Sequence, residues 1–332
     1  AIWSSSSPDF GIKGVLDRFT QIEPKVLFAA NGYYYNGKKF DSLEKLNSIL
    51  NQLPSVDRVV VAPYTKSNPD ISSVKNGILW DNFVDSNPSP LQFEQLPFQH
   101  PLYIMYSSGT TGLPKSIVHG AGGTLIQHLK ELRLHGNIYQ DDTIFYFTTC
   151  GWMMWNWLVS SLALGATIIL YDGSPFYPDK NVLLKLANKC GITVFGTSAK
   201  YITSLETAGI KPIEISSFPH LKTILSTGSP LVEENYDYVY NYWKKDVLLA
   251  SISGGTDIIS CFALGNPLLP VNRGELQCSG LGMKVEAFNE AGKSVINKKG
   301  ELVCTQAFPS MPVYFWNDST GEKYQSAYFE TF

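Results

Sequence analysis

The sequence contains few charged residues and no long run of one sign. Asp, Glu, Lys and Arg make up 17% of the 332 residues, and the formal net charge is −3. A typical globular chain carries about 25% charged residues, and a nucleic-acid-binding protein usually presents a basic patch. We therefore predict no nucleic-acid partner, and any anionic ligand must be held by a local motif.

Cysteine is scarce and too widely spaced for a metal or disulfide motif. The five cysteines, Cys150, Cys190, Cys261, Cys278 and Cys304, include no Cys-x-x-Cys pair. Their odd number and their spacing argue against a disulfide framework and against a zinc site. We expect reduced thiols and a cytoplasmic location.

The first residues include no Met, no basic region and no apolar segment, so they do not read as a signal peptide. The chain has one long uncharged run, over 143–171, which exceeds the ~20 residues that a membrane helix needs. Gly151, Asn156 and Gly165 interrupt this run, and its flanks are acidic rather than basic. Buried parallel strands produce the same continuous apolar pattern, so we predict no membrane span.

Hydrophobic residues are plentiful, at 44% of the chain with 13% aromatic, and their pattern predicts an α/β fold. Residues 26–62 have the pattern of one strand–helix–strand unit with an Asn36-Gly37 hairpin turn. Strand and helix patterns then alternate regularly over 102–253, which is typical of parallel β-sheets covered by helices. After about residue 270 we predict short strands with glycine turns and no helix, forming a small antiparallel β unit at the C-terminal end.

These shifts in pattern suggest three regions. We predict an α/β portion with a Pro-rich connection over 1–100, an α/β nucleotide- and acyl-binding subdomain over 101–270, and a small β-rich subdomain over 271–332.

The most distinctive motif is YSSGTTGLPKSIVHG, residues 106–120. A strand leads into a loop rich in Ser, Thr and Gly, followed by a lysine. Backbone N–H groups and hydroxyls in such a loop can surround phosphate oxygens, and a lysine adds positive charge. The spacing is not that of a Walker A loop. The residues that we predict to contact phosphate are Ser107, Ser108, Gly109, Thr110, Thr111, Gly112 and Lys115.

The string SSGTTGLPK resembles the phosphate-binding signature of the adenylate-forming (AMP-binding) enzymes, which include acyl-CoA synthetases, luciferases and peptide-synthetase adenylation domains. Two later segments agree in order. STGSP resembles the segment that lies against adenine and implies that role for Gly228, Ser229 and Pro230. SGGTD resembles the family's Tyr-Gly-x-Thr-Glu motif and adds Gly255, Thr256 and Asp257.

This resemblance implies a catalytic role for Thr256, at the α-phosphate, and for Asp257, as the ligand of Mg²⁺. Aspartate stands where the family has glutamate, which shortens the side chain by one methylene and keeps the carboxylate that Mg²⁺ favours. The resemblance also implies ATP, AMP and coenzyme A as ligands.

Several segments resemble the branch of acyl-CoA synthetases that activates acetoacetate. The acetate-activating branch carries a Trp where this chain has Gly254, which favours an acid longer than acetate. The residues that we predict for the acyl pocket are Trp152, Met153, Asn156, Ser198 and Gly254. The segments that resemble this branch are 1–11, 22–38, 148–157, 251–258 and 308–316.

The resemblance covers nearly the whole chain but implies a longer protein, with a further N-terminal segment and a C-terminal lid domain. The implied reaction joins acetoacetate, ATP and CoA into acetoacetyl-CoA, AMP and pyrophosphate through an acyl-adenylate. Two alternatives stay open. One is a nucleotide-binding fragment without catalysis, and the other is an adenylate-forming enzyme for a different small acid.

Overall fold

The structure is a computed structural model and describes residues 1–87, 89–107 and 112–332. The strands, in chain order, are β1 (Trp3–Ser4), β2 (Val26–Ala30), β3 (Gly32–Tyr35), β4 (Lys38–Asp41), β5 (Arg58–Ala62), β6 (Gly77–Leu79), β7 (Pro101–Ser107), β8 (Lys115–Gly120), β9 (Thr143–Tyr146), β10 (Thr167–Ile169), β11 (Val194–Ser198), β12 (Thr223–Thr227), β13 (Leu248–Ser251), β14 (Ser253–Gly255), β15 (Ser260–Leu264), β16 (Cys278–Ser279), β17 (Val285–Phe288), β18 (Glu301–Cys304) and β19 (Tyr314–Phe315).

The α-helices, in chain order, are α1 (Ile12–Ile22), α2 (Leu43–Leu50), α3 (Trp80–Phe83), α4 (Ala121–Lys130), α5 (Met153–Ser160), α6 (Val182–Lys189), α7 (Ala199–Thr207), α8 (Glu233–Tyr238) and α9 (Glu322–Phe329). Helices α4 and α8 continue as π-helical turns over Glu131–His135 and Val239–Trp243. Short 3-10 turns cover Ser161–Leu164 and Pro212–Glu214.

The largest sheet has five parallel strands in the order β10-β9-β11-β12-β13. Helices α5 to α8 connect them, because a parallel pair needs a crossover rather than a tight turn. Phe145 and Phe195 pack in the core cluster formed with α6, α7 and α8. Their neighbours Ile144 and Val194 point to the opposite face and pack with Trp157 of α5. The predicted parallel sheet covered by helices is confirmed.

A smaller parallel sheet, β2-β5-β6, packs against α1 and α2. The predicted hairpin is also present, since β3 and β4 pair antiparallel around Asn36 and Gly37, whose φ angles are 50° and 77°. Positive φ at both central residues is what a type I′ turn requires. No helix or strand is predicted within the Pro-rich connection over 66–100, where the structure has β6 and α3.

A third sheet has four strands of mixed direction, in the order β1-β7-β8-β19. Strand β19 pairs antiparallel with β8 and so brings the C-terminal region onto the strand that begins with Lys115. Small antiparallel pairings follow residue 250, in β14-β15-β16 and β17-β18. The expectation of no helix after residue 270 is wrong, because α9 packs its Tyr324 and Tyr328, four residues apart on one helix face, against Phe315 of β19.

The uncharged run 143–171 contains β9, α5 and β10 rather than one long helix. Among the helices that the structure describes, none combines the length and the apolar character needed to cross a membrane.

Candidate active site

A cavity of about 1140 Å³ opens where β11, β12 and β13 end. Ser198, Thr227 and Ser251, the last residues of these three strands, line it. Ligands of open parallel sheets bind at the carboxyl ends of the strands, so the fold by itself marks this cavity as the place to look for chemistry.

Most of the predicted site residues that the structure describes line this one cavity. They come from the end of β7, the start of α5, the loop after β12 and the turn after β13. These residues are Ser107, Trp152, Met153, Ser198, Gly228, Ser229, Pro230, Gly254, Gly255 and Thr256. The predicted phosphate, adenine and acyl positions are therefore close enough in space to hold one extended ligand.

Part of the predicted phosphate loop is not in this set. Ser108, Gly109, Thr110 and Thr111 lie outside the described residues. Gly112 is exposed with φ of 101° and does not line the cavity.

Asn156, which the sequence predicts for the acyl pocket, is not among the residues that line the cavity. Its side chain is buried, at 2% exposure, on a turn of α5 that faces the sheet. The amide nitrogen lies 2.9 Å from Sδ of Met105 in β7. Because that face of α5 packs inward, Asn156 serves the contact between helix and sheet.

Lys115 and Asp257 form an ion pair beside the cavity. The distance from Nζ to Oδ1 is 2.6 Å, and the side chains are 29% and 31% exposed. The Tyr328 hydroxyl donates to the same Oδ1 at 2.7 Å. Burial by itself would raise the pKa of Asp257, but the hydrogen bonds from Lys115 and Tyr328 and the lysine charge hold it below its ordinary value. The predicted phosphate lysine and the predicted metal carboxylate are thus direct neighbours.

Comparison with known proteins identifies the family of this chain. Residues 1–315 match the family described as AMP-binding enzyme. The chain belongs to the AMP-binding enzyme family. It is 56% identical to the acetoacetyl-CoA synthetase of Gallus gallus and 55% identical to the acetoacetyl-coenzyme A synthetase of Rhizobium meliloti (strain 1021), in each case over 100% of this chain and 51% of the relative. The acetoacetyl-CoA synthetase structure from Streptomyces lividans superposes with a TM-score of 0.93 at 42% identity, over 100% of this chain and 51% of that one.

The chain thus spans about half the length of the curated relatives it matches. The segments that the sequence predicts to contact nucleotide meet at this cavity. The family match names no metal ion, so the argument for Mg²⁺ depends on the side chains around Asp257.

The side chains around Asp257 are suitable for a hard cation. Ser107 lies beside the carboxylate and helps to lower its pKa, yet its buried hydroxyl has no hydrogen bond of ordinary geometry within the part of the chain that is described. No group of three or more His, Cys, Asp or Glu side chains in residues 1–87, 89–107 and 112–332 is arranged to hold a metal ion. This is compatible with Mg²⁺, which often binds through one or two carboxylates, water and the phosphates of a substrate.

Strand β8 contacts the 256–257 turn at two points. Residues 115 and 119 lie on the same side of the strand, two pleats apart. Lys115 binds the Asp257 side chain, and Nε2 of His119 donates to the carbonyl oxygen of Thr256 at 3.0 Å. Burial lowers the pKa of His119 to about 4, so the ring is neutral and Nε2 carries the proton. His119 therefore has a structural role, because its hydrogen bond fixes the backbone next to Asp257.

Helix α4 and its π-helical extension hold the end of that turn and the β15 segment that follows it through buried polar side chains. His128 donates to the carbonyl of Ile259 at 2.6 Å, and His135 donates to that of Gly265 at 2.8 Å. Glu131, fully buried, accepts from the backbone N–H of Cys261 at 3.1 Å. Sequence reasoning missed Glu131; the available signal was its place on the same helix face as the two histidines.

Gly254 has a structural role that the sequence did not indicate. A Cβ atom built there would lie 2.2 Å from the carbonyl oxygen of Ser260 in the paired strand β15. The register shifts between Ser253 and Gly254, which brings the two backbones together. Gly254 lines the cavity, but the absence of a side chain is required first by strand pairing. Its value as an indicator of acid size is correspondingly weaker.

Several cavity residues were not found from the sequence. Phe10 and Arg18, from the first residues of the chain, line the wall together with Tyr106, and the Arg18 guanidinium lies 4.5 Å from the Phe10 ring centroid. Gly274 and Leu276 line the opposite part. Nothing in their local pattern indicates a site, since the tertiary fold alone brings these segments to the cavity.

Proposed function

We propose that this chain is the portion of an AMP-forming acid–CoA ligase that binds ATP and a small carboxylic acid, and that the acid is acetoacetate. The observation that carries the proposal is the single cavity shared by Ser107 at the end of β7, Gly228–Pro230 after β12, Thr256 and Trp152. A nucleotide laid across the strand ends would place its phosphates near Ser107 and Thr256.

The names of the relatives supply the substrate class. Proteins 55–56% identical over all of this chain are described as acetoacetyl-CoA synthetases. Because the chain covers 51% of them, the complete reaction is proposed for a protein of their length, and ligand binding is proposed for this chain.

The proposed reaction has two steps. A carboxylate oxygen of the acid attacks the α-phosphorus of ATP, the bond to the β-phosphate breaks, and acyl-adenylate and pyrophosphate form. The sulfur of CoA then attacks the acyl carbon, and AMP leaves. Neither step needs a protein nucleophile, so the contribution of the chain is positioning and stabilisation of charge.

The residues divide these tasks by their place in the cavity. Thr256 and Ser107 offer hydroxyls to the α-phosphate region, and Lys115 offers positive charge to the phosphates once it leaves Asp257. Asp257 would hold Mg²⁺, which when bound neutralises charge on the phosphate oxygens. Trp152 and Met153 form an apolar wall suited to the carbon chain of the acid.

A cytoplasmic location completes the proposal. It is supported by the five free cysteines, none of which forms a disulfide within the described residues.

Calorimetric titration with AMP and with two non-hydrolysable acyl-adenylate analogues, acetyl- and acetoacetyl-sulfamoyladenosine, tests the proposal. All three should bind through adenosine. The acetoacetyl compound should bind about fourfold more tightly than the acetyl compound, because it buries one further CH₂ group, worth about 0.8 kcal/mol, and its ketone oxygen adds a hydrogen-bond acceptor.

Trp152→Ala should weaken the acyl compounds and leave AMP unchanged. Trp80→Ala removes a similarly exposed tryptophan that does not line the cavity and is the matched control. Equal affinity for the two acyl compounds would refute acetoacetate as the acid. A folded chain that binds none of the three would refute the nucleotide site itself.

A further inference from the structure

Helix α9 contributes one polar contact to the candidate metal site. It lies far along the chain from β8, and it reaches the site through strand β19, which pairs with β8. From this position the Tyr328 hydroxyl donates to Oδ1 of Asp257 at 2.7 Å. The contact joins residues 71 positions apart, so tertiary packing creates it.

The two donors to Asp257 converge on the same oxygen. Lys115 reaches Oδ1 at 2.6 Å and Tyr328 reaches it at 2.7 Å. Within residues 1–87, 89–107 and 112–332, no hydrogen bond is made to Oδ2. Because an aspartate side chain has only two torsion angles, fixing Oδ1 also fixes the direction of Oδ2. The carboxylate is therefore held in one orientation, and the Ser107 side chain is its further polar neighbour.

The Tyr328 ring is itself held firmly. Its centroid lies 5.4 Å from that of Phe315 and 5.1 Å from that of Tyr324, both in edge-to-face contacts. The Lys115 ammonium lies 5.3 Å from the same ring. A hydroxyl mounted on a ring packed on three sides can hold a carboxylate in one rotamer at little further entropic cost.

We propose that Tyr328 is a positioning residue for the metal carboxylate: its hydroxyl holds Oδ1 of Asp257 so that Oδ2 faces a divalent cation bound with the nucleotide phosphates. This inference rests on the proposed function. It also accounts for a role that Lys115 alone cannot fill, since a lysine that moves to the phosphates would leave Asp257 without a partner, whereas Tyr328 would stay.

The test is Tyr328→Phe, which removes the hydroxyl and keeps the packed ring. The probe is Mn²⁺, followed by its electron paramagnetic resonance signal, with the chain alone and with α,β-methylene-ATP. We expect Mn²⁺ affinity to fall about tenfold in both conditions, as for loss of a hydrogen bond to a charged group. Binding of the same nucleotide in EDTA, which does not involve the cation, should stay unchanged.

Tyr324→Phe is the matched control. Tyr324 lies one helical turn earlier in the same aromatic cluster, and its hydroxyl donates to the carbonyl of Pro312 at 2.9 Å rather than to Asp257. It should retain Mn²⁺ affinity within about twofold, although it also loses a hydrogen bond, in this case to a neutral acceptor.

The outcomes separate this inference from the proposed function. Unchanged Mn²⁺ affinity in Tyr328→Phe, an equal loss in Tyr324→Phe, or no Mn²⁺ binding by the parent chain would each overturn the positioning role. Nucleotide binding in EDTA by the parent chain would leave the proposed function standing in all three cases, and its absence would count against that function instead.

Discussion

Two Lys–Asp pairs occupy opposite ends of the structure and have different surroundings. Asp142 and Lys222 come just before β9 and β12, at the amino ends of the five-stranded sheet, with 2.9 Å between Oδ1 and Nζ. Lys115 and Asp257 lie beside the cavity at the other end, with 2.6 Å between their atoms. The Asp142 side chain is fully buried, whereas that of Asp257 is 31% exposed.

The partners of each carboxylate differ in kind. Asp142 also accepts from the backbone N–H of Tyr139 at 2.9 Å, so it holds the chain that leads into β9. Asp257 takes its hydrogen bonds from the side chains of Lys115 and Tyr328. A side-chain partner can rotate away without disturbing the backbone. We infer that the first pair stabilises the fold and that the second can be rearranged by a ligand.

The largest expected difference between the two pairs is the loss of stability when each carboxylate is removed. Asp142→Ala should lower the free energy of unfolding by about 1–3 kcal/mol, because the backbone N–H of Tyr139 and the half-exposed Lys222 both lose their acceptor. Asp257→Ala should lower it by less than about 1 kcal/mol, since its neighbours remain partly hydrated. Urea unfolding followed by circular dichroism measures both, and equal losses would show that the two pairs are equivalent.

Removing each lysine should have the opposite pattern of effects: loss of Lys115 should weaken Mg·ATP binding more than loss of Lys222. Lys115→Ala is expected to weaken Mg·ATP binding by about 10-fold or more, the value of one charge-assisted hydrogen bond to phosphate. Lys222→Ala takes the same charge from the amino ends of the strands and should leave affinity within about twofold, because long-range charge effects are screened at 0.15 M salt. Isothermal calorimetry decides the matter; equal losses in both variants would mean that only net charge is being measured.

Local chemistry determined how well each region could be predicted. The motif at 106–120 and the segments ending in Pro230 and Asp257 indicate phosphate chemistry by composition and order, and the residues that the structure describes there meet at one cavity edge. The strand and helix pattern of the core follows from its alternation of apolar residues.

The remaining features depend on contacts between distant segments. The place of Asn156 away from the cavity lining could not be predicted, because sequence alone does not tell which face of a short apolar helix is turned to the cavity. Tyr328 and Glu131 reach the site region through tertiary packing, so no nearby pattern marks them. The clash behind Gly254 depends on a register shift, which no composition reveals.

Substitutions at the adjacent glycines Gly254 and Gly255 test whether strand pairing requires a glycine at the cavity. Gly254→Ala should lower the free energy of unfolding by at least about 1 kcal/mol, because the new Cβ would overlap the Ser260 carbonyl and force the strands apart. Gly255→Ala is the control, since its Cβ would meet nothing closer than the Asp257 nitrogen at 3.9 Å. Thermal unfolding of both variants tests this. If Gly254→Ala is as stable as Gly255→Ala, the glycine at 254 serves only to make room for the acid.

The smallest expected effect is in the acid stability of the two pairs. Burial alone would raise the pKa of Asp142, but hydrogen bonds from Lys222, Thr193 and the backbone N–H of Tyr139, with the lysine charge, hold it below its ordinary value. The unfolded chain therefore takes up this proton first, so the stabilisation is complete well above the unfolded pKa of about 3.9 and is lost as the pH falls through the folded one.

The unfolding free energies of the parent chain and Asp142→Ala should accordingly converge as the pH falls below about 4, by at most about 1.4 kcal/mol per pH unit for one proton. Asp257 has a lowered pKa as well, but its partial exposure makes the corresponding convergence for Asp257→Ala smaller. Urea titrations at pH 3, 4, 5 and 7 would measure the gaps. A constant gap for Asp142→Ala would mean that its loss reflects packing rather than charge, and the two pairs would then differ in burial alone.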